Sequence, residues 1–286
     1  MPRTNADWDI IIEARGSLFS VGFMELWQYR DLLKMYIYRD IVTSYKQTIL
    51  GPIWFIIQPI STTIVYMFVF GKLAGIPTDG IPEALFYLSG ITFWNYFSES
   101  MTKTSDTFLA NQAIFGKVYF PRLIVPMSIT ITGLIKMSLQ FVVFIIIYIY
   151  FVAKGTVSKP SIYALLLPIL IFILSSLSLG LGIIVSSMTT KYRDLKFLIA
   201  FSVQLLMYST PVIYPLSVMD GKYKKFMWII QANPLTAVLE TFRFGFLGHG
   251  RFSWFALGYS LLFSSIILLF GIIVFNRVEK SFIDVI

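Results

Sequence analysis

The order of apolar and polar positions along the chain predicts a bundle of membrane-spanning helices. Runs of about 20 predominantly apolar residues are long enough to cross the hydrocarbon core of a bilayer. Such runs occur in the 286-residue sequence at residues 53–70, 84–98, 123–152, 162–188, 197–218 and 252–275. The second run is short for a span, so we expect it to extend into its flanks or to tilt. The pattern therefore predicts an all-α membrane protein with six transmembrane helices.

A further helix is predicted before the first span, within the N-terminal segment 1–48. Apolar and aromatic residues recur there at helical spacing, while most charged and amide side chains lie off that face. The face comprises Leu26, Tyr29, Leu33, Tyr36 and Ile37. We expect an amphipathic helix at the cytoplasmic membrane interface, with Trp27 and Tyr38 at headgroup level. Packing on the protein's own cytoplasmic face is an alternative that is compatible with this location.

The segment between the fifth and sixth spans, residues 219–251, is long and semi-apolar but too interrupted to form another span. Asn233 and Pro234 break its helical pattern midway. We therefore predict a re-entrant hairpin of two half-length helices, a structure that is tolerated where the backbone is buried in protein or lines a wet cavity. Glu240 and Arg243 stand three residues apart in its second half, which is the spacing of an intrahelical ion pair. Direct contact with a sugar is the alternative role for this pair.

The spans belong to one membrane domain, with residues 49–286 as the six-helix part and residues 1–48 as a cytoplasmic or interfacial segment. An even number of spans places both termini on the same side. The larger share of the 23 Lys and Arg residues lies in segments on that side. Cytoplasmic loops carry an excess of these residues, so we predict that both termini are cytoplasmic.

Composition narrows the class of function. Only 13% of the residues are charged and 57% are hydrophobic, whereas a soluble domain has about 25% charged residues. The net charge of +8 indicates attraction to an anionic lipid leaflet rather than to nucleic acid. The chain has no cysteine and one histidine, His249, which we place in a solvated turn. Without clustered ligands or paired carboxylates we expect neither a metal site nor acid–base catalysis.

Four stretches of sequence carry a more specific pattern. They are RDIVTSYKQTILGPIWFIIQPI at 39–60, FYLSGITFWNYFSES at 86–100, FGKVYFPRLIVPMS at 115–128 and ANPLTAVLETFRFG at 232–245. In this order they resemble the type-2 ABC exporter permeases. More narrowly, they are similar to the permeases that export lipid-linked polysaccharides such as O-antigen, capsule and teichoic acid.

The resemblance implies a half-transporter that pairs as a homodimer in the bacterial inner membrane and recruits two copies of a cytoplasmic ABC ATPase. The sequence contains no G-x-x-x-x-G-K-[ST] phosphate loop. ATP and Mg²⁺ would therefore be bound by the ATPase, and we expect this chain to bind no cofactor and to catalyse no bond chemistry. An exporter of drugs or small lipids is the alternative, and a transferase or flippase that works without ATP is a second one.

The resemblance also implies where the ATPase docks. The segment from Asn111 to Arg122 corresponds to a cytoplasmic docking helix, and the turn between the fourth and fifth spans is a second contact candidate. The candidate coupling residues are Asn111, Lys117, Tyr119, Phe120, Arg122, Lys191, Arg193 and Asp194. The alternatives are an ordinary juxtamembrane anchor for the first segment, with aromatic rings at the headgroups, and a solvated turn for the second.

A polysaccharide pathway needs surfaces that bind sugar rings weakly enough to release them. Aromatic faces with a nearby hydrogen-bonding group provide such surfaces. Aromatic residues beside polar ones in the spans are therefore lining candidates, together with one glutamine. These residues are Gln58, Tyr66, Trp94, Tyr96, Phe97, Tyr208 and Tyr214. The alternative for each aromatic residue is contact with lipid or with a neighbouring helix.

Gln58 precedes Pro59 within the first span. Proline has no N–H, so the carbonyl of Phe55 loses its helical partner, and the Gln58 amide or a water can satisfy such a group. Gln58, Ser61 and Thr62 would then form a polar stripe that faces a wet pathway between two copies of the chain. A kink sealed by neighbouring helices, with no substrate role, is the alternative.

Lys136 lies within the third span, where an ionisable side chain is costly and therefore a functional candidate. We expect it to pair with Glu99 or to extend its ammonium group toward the interface. Attraction of the substrate's pyrophosphate is the other interpretation.

Overall fold

A computed structural model of the chain describes residues 23–46, 48–192, 194–220 and 224–282, and the side chains from 26 to 279 within these ranges. The described residues form helices, turns and loops, without a β-strand. This confirms the all-α class. The helices are α1 (Phe23–Gln28), α2 (Arg30–Tyr45), α3 (Trp54–Tyr66), α4 (Glu83–Ser105), α5 (Thr107–Ala110), α6 (Gln112–Phe115), α7 (Ile124–Ala153), α8 (Leu167–Thr189), α9 (Leu195–Tyr208), α10 (Met227–Ala232), α11 (Pro234–Leu247) and α12 (Trp254–Phe282).

Within the described ranges, four helical stretches are long and apolar enough to cross a membrane. They are Gly51–Leu73, Ile124–Ala153, Ile162–Thr189 and Trp254–Glu279, and they correspond to the first, third, fourth and sixth predicted spans. Helix α9 is apolar but shorter, and α4 has sufficient length but a more polar composition. Spans formed by α4 and α9 therefore stay predictions.

Helix α4 lies at the centre of the bundle. It contacts α3, α7, α8, α9 and α11, and most of its side chains are buried. It extends seven residues beyond the predicted end at residue 98 and reaches Ser105. Because neighbouring helices cover it, polar residues such as Thr92 and Ser100 are enclosed by protein rather than by lipid. Enclosure explains why the hydropathy of this stretch is lower than that of the outer helices.

The last span packs on the fourth through glycines. A Cβ atom built on Gly180 of α8 would lie 2.8 Å from the Cα of Leu268 in α12. A Cβ on Gly271 of α12 would lie 2.7 Å from the carbonyl oxygen of Gly180. Small residues allow helix backbones to approach closely where the hydrophobic effect does not drive association. These glycines therefore set the distance between α8 and α12.

The fifth predicted span ends earlier than expected, because α9 stops at Tyr208 instead of residue 218. The hydroxyls of Ser209 and Thr210 both donate to the carbonyl of Leu206, at 3.0 and 2.7 Å. Side-chain bonds of this kind compete with the helical ladder. Pro211 follows and has no N–H to continue the helix.

The break between α10 and α11 is where the sequence predicts it. Asn233 is the N-cap of α11, and its side-chain oxygen accepts a hydrogen bond from the backbone N–H of Leu235 at 3.0 Å. Pro234 occupies the first turn, where a missing N–H is tolerated. The two helices are unequal, with 6 residues in α10 and 14 in α11. The depth of this hairpin in the membrane stays a prediction.

The N-terminal helix packs on the protein itself. It is divided into α1 and α2 at Tyr29, and α2 contacts α7. Tyr36 is buried, with its ring 6.0 Å from that of Phe120. Trp27 and Tyr38 are exposed. The predicted apolar face is thus partly used against the bundle, in agreement with the alternative of packing on the protein, while its location at the membrane interface stays a prediction.

Candidate functional site

The predicted docking helix is divided into two short helices and a loop. Helix α5 ends at Ala110 and α6 begins at Gln112. Between them, the Asn111 amide donates to the carbonyl of Thr107, the first residue of α5, at 2.9 Å. The ring of Phe108 stacks on that of Phe275 in α12, with 4.6 Å between centroids. The segment is therefore attached to the last span.

Exposure separates the candidate coupling residues into two groups. Lys117 and Tyr119 are exposed, whereas Phe120 and Arg122 are buried. Two apolar neighbours of the first group, which the sequence did not single out, are also exposed. We call these four residues the coupling surface: Ile114, Lys117, Val118 and Tyr119.

The buried Arg122 attaches the segment that carries the coupling surface to α12. Its guanidinium donates to the backbone carbonyl of Glu279 at 2.9 Å, and its Nε lies 3.9 Å from the Glu279 carboxylate. Its guanidinium also lies 5.5 Å from the ring centroid of Phe115. Burial lowers the pKa of this guanidinium, and the Glu279 carboxylate opposes that shift. In this conformation Arg122 positions the segment against α12 and does not present its charge to a partner.

The second coupling candidate lies at the same end of the bundle. Lys191 and Asp194 are exposed, while Arg193 lies outside the described residues. Lys196, at the start of α9, forms an ion pair with Asp106 at 2.7 Å. The backbone N–H of Phe108 donates to the Ser186 hydroxyl of α8 at 3.2 Å. These contacts bring the turn after α8 beside α5, which the sequence left as two separate segments.

Three of the predicted pathway aromatics lie inside the helix bundle. Trp94, Tyr96 and Phe97 are all buried in the core around α4. The Tyr96 hydroxyl donates to the Ser175 hydroxyl of α8 at 2.8 Å. Trp94 and Phe97 border a small apolar cleft together with Leu174. In this conformation the three rings pack between helices, so their role as pathway lining stays a prediction.

The other three predicted aromatics form a more accessible group. Tyr208 is 58% exposed, and its carbonyl accepts a hydrogen bond from the Tyr214 hydroxyl at 2.8 Å. The Tyr66 hydroxyl reaches the sulfur of Met207 at 3.7 Å. The turn that ends α9 therefore brings Tyr208 and Tyr214 together, and α3 adds Tyr66 beside them.

Helix α3 presents a polar edge on the outer side of the helix bundle. Gln58 and Ser61 are exposed, while Pro59 and Thr63 are buried. The Thr63 hydroxyl donates to the carbonyl of Pro59 at 2.7 Å, and the Thr62 hydroxyl donates to that of Gln58 at 2.9 Å. Among the described residues, no hydrogen bond joins the Gln58 amide to the Phe55 carbonyl. The Gln58 amide therefore does not satisfy the Phe55 carbonyl in this conformation, and a water in that role stays a prediction.

Arg243 joins the hairpin to the turn after α9. It is 1% exposed, and its guanidinium donates to the carbonyls of Pro211 and Val212 at 2.7 and 3.4 Å. The predicted ion pair with Glu240 is present at 3.6 Å. The guanidinium also lies 3.9 Å from the ring centroid of Phe86 in α4. Arg243 therefore holds α11, α4 and the end of α9 together, and the signal for this was its charge in an apolar helix.

The loop after α11 completes this arrangement. The backbone N–H of Arg251 donates to the second carboxylate oxygen of Glu240 at 2.8 Å, and the Arg251 side chain pairs with Asp220. His249 is exposed in this loop, as predicted. The carboxylate of Glu240 thus connects the hairpin to the chain that enters α12.

A cluster of three charges lies between α4 and α7. The predicted pair is present, with Lys136 Nζ 2.7 Å from Glu99 Oε1. Lys103 Nζ lies 2.7 Å from the same oxygen, a partner that the i, i+4 spacing of Glu99 and Lys103 would have indicated. The Lys136 ammonium also lies 5.1 Å from the ring centroid of Phe55 in α3.

Known proteins are similar in sequence to this chain over most of its length. A model of the family described as "ABC-2 type transporter" matches residues 31–247. The O-antigen export system permease protein RfbA of Klebsiella pneumoniae is 27% identical over 258 residues, which cover 89% of this chain and 95% of that protein. RfbA of Myxococcus xanthus is 25% identical over 226 residues, covering 79% and 84%. The polysialic acid transport protein KpsM of Escherichia coli is 22% identical over 249 residues, covering 85% and 92%. Because the family model spans far more than half of the sequence, this chain belongs to the ABC-2 type transporter family.

Proposed function

We propose that this chain is the permease subunit of an ABC transporter that exports a lipid-linked polysaccharide across the bacterial inner membrane. The observation that carries the proposal is the match to polysaccharide-export permeases over almost their entire length. The family match supports a transport subunit that relies on a separate ATPase. The alternative cargo, a drug or small lipid, is an outcome of the test below.

The proposed transporter contains two copies of this chain with the pathway between them. Helix α3 has only Pro59 and Thr63 buried, and α9 has only Ile199 and Val203 buried. These helices flank the buried α4 and leave open faces on one protomer. Gln58 on the open face of α3 favours a wet seam with a second copy, because a polar amide is unfavourable against lipid. Tyr208 on α9 would add an aromatic surface to that seam.

We propose that the spans comprise α3, α4, α7, α8, α9 and α12, with both termini in the cytoplasm. Helix α4 has 23 residues and is about 34 Å long at 1.5 Å per residue, which matches the hydrocarbon core. The hairpin of α10 and α11 then lies at the outer end of the pathway. Its contact with the end of α9 through Arg243 supports a role in closing that end.

The ATPase would act on the coupling surface and on the turn at Lys191 and Asp194. The exposed Tyr119 and Lys117 offer an aromatic ring and a charge to a docking partner. Arg122 and Phe108 connect the same segment to α12. Closure of two ATPase subunits on ATP would therefore move the ends of α4, α8 and α12 together and open the seam to the linked glycan.

The test is deletion of the gene in its host, followed by extraction of lipid-linked glycan and labelling of the polysaccharide on the surface of intact cells. We expect glycan to accumulate on the cytoplasmic side and surface polysaccharide to disappear, with recovery on re-expression of the chain. Unchanged surface polysaccharide would redirect the proposal to a drug or small lipid. Loss of the glycan altogether would indicate a biosynthetic role and contradict the proposal.

A further inference from the structure

We propose that Glu99, Lys103 and Lys136 form a binding site for the phosphate group of a lipid that enters the transporter from the cytoplasmic leaflet. This inference rests on the orientation included in the proposed function and assigns a ligand to one part of the proposed pathway. It is carried by the charge count, the geometry and the accessibility of the cluster.

The charges of the cluster do not cancel. Two ammonium groups share one carboxylate, which leaves one excess positive charge. Each ammonium nitrogen lies 2.7 Å from the same Glu99 oxygen, so the two nitrogens cannot be farther apart than twice that distance. Like charges at such a separation repel each other. A second anion beside Lys103 and Lys136 would relieve this repulsion.

The cluster is accessible on one side only. The side chain of Lys136 is 9% exposed, whereas those of Glu99 and Lys103 are 38% and 53% exposed. If Glu99 served only to neutralise the buried Lys136, it would not need Lys103 as a second cation on its exposed side. Lys103 therefore presents a cation at the entrance, with Lys136 behind it. Each ammonium group carries three donors, so donors remain for a ligand.

The position of the cluster selects the ligand. Glu99 lies six residues before the end of α4 at Ser105, which is about 9 Å along the helix axis. Lys103 is then near the boundary between headgroups and hydrocarbon, and Lys136 is somewhat deeper. The anions present at this depth are lipid phosphates, and basic pockets between spanning helices on the cytoplasmic side bind such groups.

Helix α4 offers a polar continuation from this entrance. Asn95, Ser98 and Thr102 share the half-exposed or exposed side of α4 with Glu99 and Lys103. Other sides of the helix are buried against α7 and α8. A phosphate bound at Lys103 would therefore lie at the beginning of a polar edge that leads along α4 toward the middle of the membrane.

The test measures equilibrium binding to the purified permease–ATPase complex in nanodiscs of phosphatidylcholine. The probes are a labelled polyprenyl diphosphate and labelled phosphatidylglycerol, which distinguish a substrate phosphate from a common lipid headgroup. The variants are Lys103→Gln and Glu99→Gln. The matched control is Lys154→Gln, which removes the same charge from an exposed lysine at the opposite end of α7.

We expect Lys103→Gln to weaken binding of the polyprenyl diphosphate about fivefold, the effect of one basic residue near a membrane surface, while Lys154→Gln leaves it unchanged. Glu99→Gln should raise the affinity, because it increases the net positive charge, and a lower affinity would contradict the charge argument. Weaker binding of the diphosphate alone identifies the substrate as the ligand, and weaker binding of both probes identifies lipid headgroups in general.

Equal affinities for Lys103→Gln and wild type would overturn the site and leave a structural ion pair. Lys103 is half exposed, so this variant should fold, and the elution volume of the complex in gel filtration verifies assembly. The assay requires no transport. If the complex binds phosphate through Lys103 but exports no glycan, the site stands and the proposed function is contradicted. If the complex exports glycan but its phosphate binding does not depend on Lys103, the proposed function stands and the site is overturned.

Discussion

Substitution of Arg243 by methionine tests whether this buried arginine holds the hairpin in place. Methionine keeps an apolar side chain at this position but removes the guanidinium, with its charge, its donors and its contact with the Phe86 ring. In the wild-type structure the guanidinium donates hydrogen bonds to the carbonyls of Pro211 and Val212 and forms an ion pair with Glu240. The variant leaves these groups without their partner in a site that is 1% exposed at Arg243.

The expected loss in the free energy of unfolding is about 3–5 kcal/mol, the usual effect of breaking a buried ion pair by removing one partner. A buried carbonyl that loses its hydrogen bond accounts for about 1–3 kcal/mol of such a loss. The remaining part comes from the Glu240 carboxylate, which keeps only its bond from the Arg251 N–H. Glu240→Gln in the Arg243→Met background should therefore recover part of the loss.

The measurement is equilibrium unfolding of the purified chain in mixed micelles with increasing dodecyl sulfate, followed by tryptophan fluorescence. Lys34→Met is the matched control, because it removes a lysine from the exposed pair with Asp31 on α2 and should leave stability unchanged. A loss of less than about 1 kcal/mol for Arg243→Met, which is the average effect of any substitution, would refute the reasoning. A double variant as unstable as the sum of the single variants would refute the role assigned to Glu240.

Further predictions concern packing, coupling and the pathway. Gly180→Ala should lower the free energy of unfolding by about 1–3 kcal/mol, because its Cβ would lie 2.8 Å from backbone atoms of Leu268 that cannot move aside. Gly258→Ala in α12 should leave the free energy of unfolding unchanged, because its Cβ would have no atom within 4 Å. Equal losses in both variants would contradict the close approach of α8 and α12 at Gly180. Tyr119→Ala should reduce co-purification of the ATPase, since its ring is exposed on the coupling surface, and undiminished co-purification would remove Tyr119 from that surface. Tyr208→Ala should slow export in cells without loss of assembly, since its ring is exposed; an unaltered export rate would exclude it from the pathway.

The buried aromatics require a different experimental choice. Trp94→Ala would remove a large side chain from the core, and such a substitution destabilises by about 3–5 kcal/mol in soluble proteins. Slower export by that variant would therefore not distinguish a lining role from a damaged fold. Tyr208 offers the cleaner test, because its exposed ring can be removed with little effect on packing.

The sequence alone determined the all-α class of the protein, four apolar helical stretches long enough to cross a membrane, and the break at Asn233 and Pro234. Apolar runs depend on local composition, so the third predicted span agrees with α7 to within one residue at each end. Asn233 and Pro234 act on their own backbone, so the break between α10 and α11 was predictable. The Lys136–Glu99 pair was predictable because an isolated charge in an apolar helix is costly. The Glu240–Arg243 pair was predictable because the two residues stand three apart on one helix.

Only the tertiary structure decided which side chains face outward. Trp94 and Tyr208 are both aromatic residues beside polar ones in apolar stretches, yet α4 is enclosed by five helices and α9 is covered on one face. The sequence similarly places the charge of Arg122 at the membrane interface or on a docking partner, but the side chain is buried against Glu279, a residue distant along the chain. Exposure depends on which helices pack together, and this is set by long-range contacts such as the crossing at Gly180 that no local pattern records.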